Sequence, residues 1–276
     1  MALAWGSQTY VMGVINLTPD SFSDGGRFDR PERALAQAQR MLAQGADVLD
    51  LGAQSTRPGA AEVGAPAELQ RLLPALREIR AACPEALISV DTFLAPVAEA
   101  ALAAGANWLN DVRGASSLRD SAMLELVAAA GCPYVLMHSR GDSAAMDGLA
   151  RYGNVVAEVR DGLRAASDQA IAAGVQPDQL IWDPGLGFAK TTEQNLALLR
   201  GLPGLRAEGF PLLLGPSRKR FIGAVLDEPR ANARLWGTAA VCAQAISAGA
   251  DVLRVHDVGP IVQTARMTDA IVRGLA

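Results

Sequence analysis

Eight short runs of Val, Ile and Leu, each followed by a segment of helical spacing, limit what this chain can fold into. The runs lie near 10–15, 47–51, 87–91, 107–110, 134–138, 180–183, 211–215 and 251–255. None shows the alternation of a half-exposed antiparallel sheet, so each reads as a parallel strand covered on both faces. Segments 31–44, 68–82 and 232–248 carry apolar residues at helical spacing. Eight strand–helix units in 276 residues predict an α/β fold, a (β/α)8 TIM barrel in a single domain spanning 1–276. A doubly wound open sheet would place GxGxxG after the first strand. That strand runs instead into Asn16-Leu-Thr-Pro-Asp20. Gln44-Gly-Ala-Asp47, Ala104-Gly-Ala-Asn107 and Ala248-Gly-Ala-Asp251 echo one another. Each ends a helix on a glycine suited to left-handed angles and opens a strand. The least regular stretch is 139–153, a loop after the fifth strand.

Half the residues are hydrophobic and a fifth are charged, which excludes a disordered chain. A net charge of −4 offers no chain-wide attraction to nucleic acid or acidic membranes. Cys83, Cys132 and Cys242 lie far apart without a CxxC pair, which fits a reducing compartment. The uncharged opening lacks the basic start of an export signal, and no apolar run is long enough to span a bilayer. The expectation is a cytoplasmic protein with no nucleic-acid or membrane partner. Of 25 basic residues only Lys190 and Lys219 are lysines, so both merit scrutiny.

Active sites of this fold sit where the strands end. All eight predicted ends are polar: Asn16; Ser55-Thr56-Arg57; Asp91; Asn110-Asp111; His138; Asp183; Ser217-Arg218-Lys219; Arg254 with His256. Arg57, Arg254 and His256 suit an oxyanion such as phosphate. Asp91, Asn110 and Asp183 offer acceptors and an amide to a planar heterocycle rich in N–H donors. The competing reading of Asp91 or Asp183 is a helix N-cap. Segments 16–26 and 55–59, polar and bearing Gly and Pro, have the composition of lids or of ordinary surface loops.

The stretch from Met12 to Gly26, Ser55-Thr-Arg-Pro-Gly59, Ser89-Val-Asp-Thr92, Asn110-Asp-Val112, Asp183-Pro-Gly-Leu-Gly-Phe188, Ser217-Arg-Lys-Arg-Phe221 and Arg254-Val-His-Asp-Val258 together resemble the dihydropteroate synthase family, in its order and over nearly the whole chain. The resemblance implies a folate-pathway transferase and sulfonamide target. It would condense (7,8-dihydropterin-6-yl)methyl diphosphate with 4-aminobenzoate, releasing diphosphate and 7,8-dihydropteroate. By position, Asp91, Asn110, Asp183 and Lys219 would hold the pterin. Asn16, Arg254 and His256 would hold diphosphate, with Asn16 on a Mg²⁺ cofactor. Phe22, Thr56, Arg57, Pro58, Phe188, Lys219 and Arg220 would shape the aminobenzoate pocket. Asp91, Asp183, Lys219 and Arg57 form the implied catalytic set, acting by an SN1-like displacement. A homodimer is the implied assembly. A methyltetrahydrofolate methyltransferase shares barrel and pterin pocket but needs no diphosphate site. A silent pterin-binding paralogue would keep the motifs without the activity. Gln54, Pro216, Arg220 and Ser139-Arg-Gly-Asp142 depart from the common family pattern, which bears on specificity more than on reaction class.

Overall fold

The computed structural model describes residues 3–18, 31–56, 59–116 and 119–274. Eight parallel strands, β1 (Tyr10–Asn16), β2 (Val48–Gly52), β3 (Leu87–Asp91), β4 (Trp108–Asp111), β5 (Tyr134–Met137), β6 (Leu180–Asp183), β7 (Leu213–Leu214) and β8 (Val252–Val255), alternate with helices. The helices are α1 (Pro31–Ala43), α2 (Gly64–Ala82), α3 (Ala95–Ala103), α4 (Ser121–Ala130), α5 (Val155–Ala172), α6 (Thr192–Arg206), α7 (Arg220–Leu226), α8 (Leu235–Ser247) and α9 (Val258–Val272). Strand order β6-β5-β4-β3-β2-β1-β8-β7 wraps into a barrel. It closes between β6 and β7 through a single parallel bridge, Trp182 to Leu212. β7 keeps only two ladder residues of the five expected. α2 begins four residues before the apolar period does, at Gly64.

Side chains alternate across each strand. Outward residues such as Leu49, Leu51, Leu253 and Val255 join the layer beneath the helices. Inward residues Tyr10, Met12, Val48, Trp108, Val135, Ile181, Leu213 and Val252 plug the barrel interior. Two residues further along, the same inward rows carry Asp50, Asn110, Asp183 and Arg254. A hydrophobic plug therefore supports a polar layer at the mouth, and strand periodicity alone puts it there.

The threefold echo has a shared structural use. Gly45, Gly105 and Gly249 take φ of 95°, 101° and 96°, ending their helices left-handed. The acid or amide that follows accepts a backbone N–H from the preceding strand or its lead-in. Asp47 takes Val11 N at 2.8 Å, Asn107 takes Ile88 N at 2.9 Å and Asp251 takes Leu212 N at 3.0 Å. These bonds satisfy donors at the closed end of the barrel that the ladder leaves over.

Candidate active site

The polar layer converges on Arg254. Its Nε donates to Asp50 Oδ2 at 2.6 Å and its Nη2 to Asp91 Oδ2 at 2.6 Å. Asn110 Nδ2 donates to the same Asp50 oxygen at 3.2 Å. Side chains from β2, β3, β4 and β8 thus form one network. Asp50 Oδ1 and Asp91 Oδ1 remain buried without a hydrogen-bond partner. Such acceptors are costly to leave unmatched, and a donor-rich ligand would match them. Gly52 lies beside them: a Cβ there would reach the Asp91 side chain at ordinary contact distance, 3.5 Å.

Burial pushes the Asp91 carboxyl up to about 7; Arg254 opposes this, and Asp50 and Glu68 reinforce it. Neither Asp91 nor Asp183 caps a helix. The N-cap of α3 is Leu94 and that of α6 is Thr191, which forms a capping box with Gln194. Asp183 is buried with its carboxyl raised, chiefly by desolvation, and its Oδ1 accepts Gly185 N at 2.7 Å.

Lys219 is the N-cap of α7. Its Nζ stands 4.3 Å from the centre of the Phe188 ring, and burial draws its pKa down to about 8 while Asp183 holds it up. The backbone before it is tightly determined. Arg218 has φ 61°, its N donates to Thr238 Oγ1 at 3.2 Å, and its guanidinium grips Asp257 at 2.7 and 3.0 Å. A non-glycine residue in that region costs of order 1–3 kcal/mol and persists only where surrounding bonds enforce it. Here they fix where Lys219 points.

His256 Nδ1 lies 2.9 Å from Ser217 Oγ. Burial and the neighbouring Arg254 lower its pKa to about 3, so the ring is neutral. Thr56 and Phe188 line one cavity with Phe93, Val112 and Arg113. Arg220 is exposed and pairs with Asp147 at 2.6 Å, on the loop after β5. His138 faces away from the mouth, its ring against Gly162 of α5 and its Nδ1 3.3 Å from Lys190 Nζ. Asp111 is consumed by Tyr134 Oη at 2.6 Å and Arg113 N at 2.7 Å. Phe22, Arg57 and Pro58 lie outside the described residues. Gln54 Oε1 accepts Val63 N at 2.8 Å.

Asp50 escaped the strand-end argument because it lies within a strand, as the single acid in Val48-Leu-Asp-Leu-Gly52. An ionisable residue inside an otherwise apolar strand was the available signal.

The pterin binding enzyme family matches residues 12–256 of the chain. The chain belongs to this family. It is 48% identical over 269 residues to the dihydropteroate synthase of Synechocystis, covering 98% of this chain and 92% of the relative. The Xanthomonas albilineans dihydropteroate synthase solved with 4-aminobenzoic acid has 40% identity and a TM-score of 0.90, covering 98% of this chain and 95% of that one. The Yersinia pestis enzyme with a sulfonamide drug has 38% identity and a TM-score of 0.90, covering 96% and 95%. With such relatives, this member is a transferase of folate biosynthesis.

Proposed function

We propose that the mouth joins a dihydropterin methyl diphosphate to 4-aminobenzoate, forming 7,8-dihydropteroate, through a dissociative displacement. The observation that carries this reading is the pair of unmatched buried Oδ1 oxygens on Asp50 and Asp91, two carboxylates whose Oδ2 oxygens Arg254 holds at 2.6 Å. Asp91, Asn110 and Asp183 present acceptors and an amide to the pterin edge, and Lys219 adds donors from the opposite wall. The C–O bond to diphosphate breaks first. The resulting methylene cation is conjugated with the ring and stabilised by the Asp91 carboxylate. The aniline nitrogen, a weak nucleophile, then forms the C–N bond and gives up its proton to solvent. Arg254 and the neutral His256 ring face the departing diphosphate. Thr56, Phe188 and Lys219, with Phe22, Arg57 and Pro58, shape the aminobenzoate pocket. Arg220 would reach the aminobenzoate carboxylate by leaving Asp147.

Asn16, half-buried at the mouth end of β1, would supply one amide oxygen to Mg²⁺. Among the described residues no group of three His, Cys, Asp or Glu forms around a metal. That donor set fits a cation bound mainly through substrate phosphates and water. When bound, Mg²⁺ neutralises charge on the leaving group.

Val225 and Leu226 on α7, Trp236 on α8, and Met267 and Ile271 on α9 are exposed, Trp236 by 79%. These apolar side chains on three consecutive helices support a homodimer formed through them. Trp236→Glu is expected to shift the mass in solution to that of one chain. Among the described residues no helix is long and apolar enough to cross a membrane, and the reading places the enzyme in the cytoplasm.

The test is dihydropteroate formation from the two purified substrates with Mg²⁺, blocked competitively by a sulfonamide. Methyl transfer from methyltetrahydrofolate, or pterin binding without product, would replace this reading. Positional oxygen exchange in bound substrate without aminobenzoate tests the early cation. Its complete absence argues for concerted attack.

A further inference from the structure

Lys190 lies at the end of the turn after β6, and its side chain folds back into that turn. Its Nζ is 2.9 Å from Phe188 O, 3.0 Å from Gly185 O, 3.3 Å from His138 O and 3.3 Å from His138 Nδ1. Three ammonium hydrogens therefore face three carbonyl oxygens and a ring nitrogen in a buried space. The surrounding backbone is built for this return. Gly185 approaches β5 so closely that a Cβ would lie 2.0 Å from His138 O. Ala189, immediately before the lysine, takes φ 48°, a strained conformation for alanine that aims the next side chain inward. Asn195 closes the outer side, accepting Gly187 N at 2.7 Å and donating to Thr191 O at 2.7 Å.

We infer that Lys190 is a positioning residue for the proposed reaction: its ammonium fastens the 183–190 turn to the end of β5 and thereby sets where Asp183 and Phe188 meet the substrates. The inference rests on the roles given to Asp183 and Phe188 above. Asp183 opens this turn, and its carboxylate already receives Gly185 N. Phe188 carries Lys219 over its ring. A slack turn would move a pterin acceptor and the wall behind Lys219 together, without touching Arg254, Asp50 or Asp91.

The groups facing the amine are Asp183 on β6, His138 just after β5, Arg140 on the following loop and Lys219 before α7. Desolvation draws the Lys190 amine down to about 7, with Asp183 opposing. His138, held near 3, stays neutral throughout and does not compete for the proton. Above neutral pH the amine loses one donor, and one of the turn's carbonyls goes unmatched.

The experiment uses Lys190→Met in the full chain, with pterin affinity read by ligand fluorescence and both KM values by steady-state kinetics. The expected result is a folded protein whose Kd and KM for the pterin substrate rise about tenfold or more, the scale of a lost charge-assisted hydrogen bond. The descending limb of its kcat/KM profile should move from about 7 toward that of Lys219 at about 8. Pterin constants within about twofold of wild type, or an unmoved limb, would overturn the inference. Should Lys190→Met not fold, Lys190→Gln is judged by the same two criteria. Wild-type chain that makes no dihydropteroate defeats the proposed function. Active wild type with an unaffected Lys190→Met defeats only the role of Lys190.

Discussion

Both ends of this barrel bury carboxylates, and they treat them in opposite ways. At the closed end, Asp251 is fully buried with both oxygens matched, by Gly6 N at 2.9 Å and Leu212 N at 3.0 Å. Asp269 likewise receives Thr9 N at 2.7 Å and Thr9 Oγ1 at 2.8 Å. At the mouth, Asp50 and Asp91 each keep one oxygen unmatched, and Asp91 is pushed up to about 7. Matched acids hold the barrel closed. Unmatched acids keep free energy in reserve for a ligand that supplies the missing donors.

The largest effects should come from the mouth. Lys219→Ala is expected to lower kcat/KM on the order of 10²–10³, as for a lost preorganised donor at the proposed reacting groups; near-normal rates would remove Lys219 from the site. Arg254→Met leaves Asp50 and Asp91 buried without a counter-charge, so a stability loss of about 3–5 kcal/mol should appear in urea melts alongside lost turnover. If that variant melts like wild type, the network carries little of the fold.

The next contrast is pH. The folded Asp91 keeps its proton up to about 7, whereas unfolded aspartate loses it near 3.8. Between those values the native state binds more protons, so stability contributed by this group falls as pH rises from about 4 to about 7. Under the proposed dissociative reaction, activity should run the other way over the same window, because only the carboxylate form would stabilise the proposed cation. Asp91→Asn should flatten both trends, as measured by denaturant midpoints and kcat/KM against pH.

At the closed end the pattern inverts. Asp251→Asn should cost about 1–3 kcal/mol by turning one matched acceptor into a mismatched donor. Both KM values should stay at wild-type levels, and a raised KM would show that the two ends are coupled. The smallest effect belongs to the rim. Asp147→Asn breaks an exposed pair with Arg220 and should change stability by less than about 0.5 kcal/mol. Aminobenzoate KM should fall slightly if Arg220 is thereby freed for the substrate carboxylate.

Residue pattern alone was enough for the barrel, because eight apolar strand runs separated by helical periods leave few packings that cover every strand on both faces. Strand ends also indicated Asp91, Asn110, Asp183, Lys219 and Arg254, since polar side chains gather where buried strands reach water. Tertiary structure decided the rest. Asp50 joins the site's framework through partners 60 and 204 positions away, and Lys190 by folding back from a strained turn. His138 and Asp111 occupy the same kind of strand end yet find their partners inside the fold, at Lys190 and at Tyr134. Whether a buried polar group finds its partner inside the fold depends on distances between chain segments that local spacing does not encode. That difference separates a carboxylate of the scaffold from one held ready for substrate.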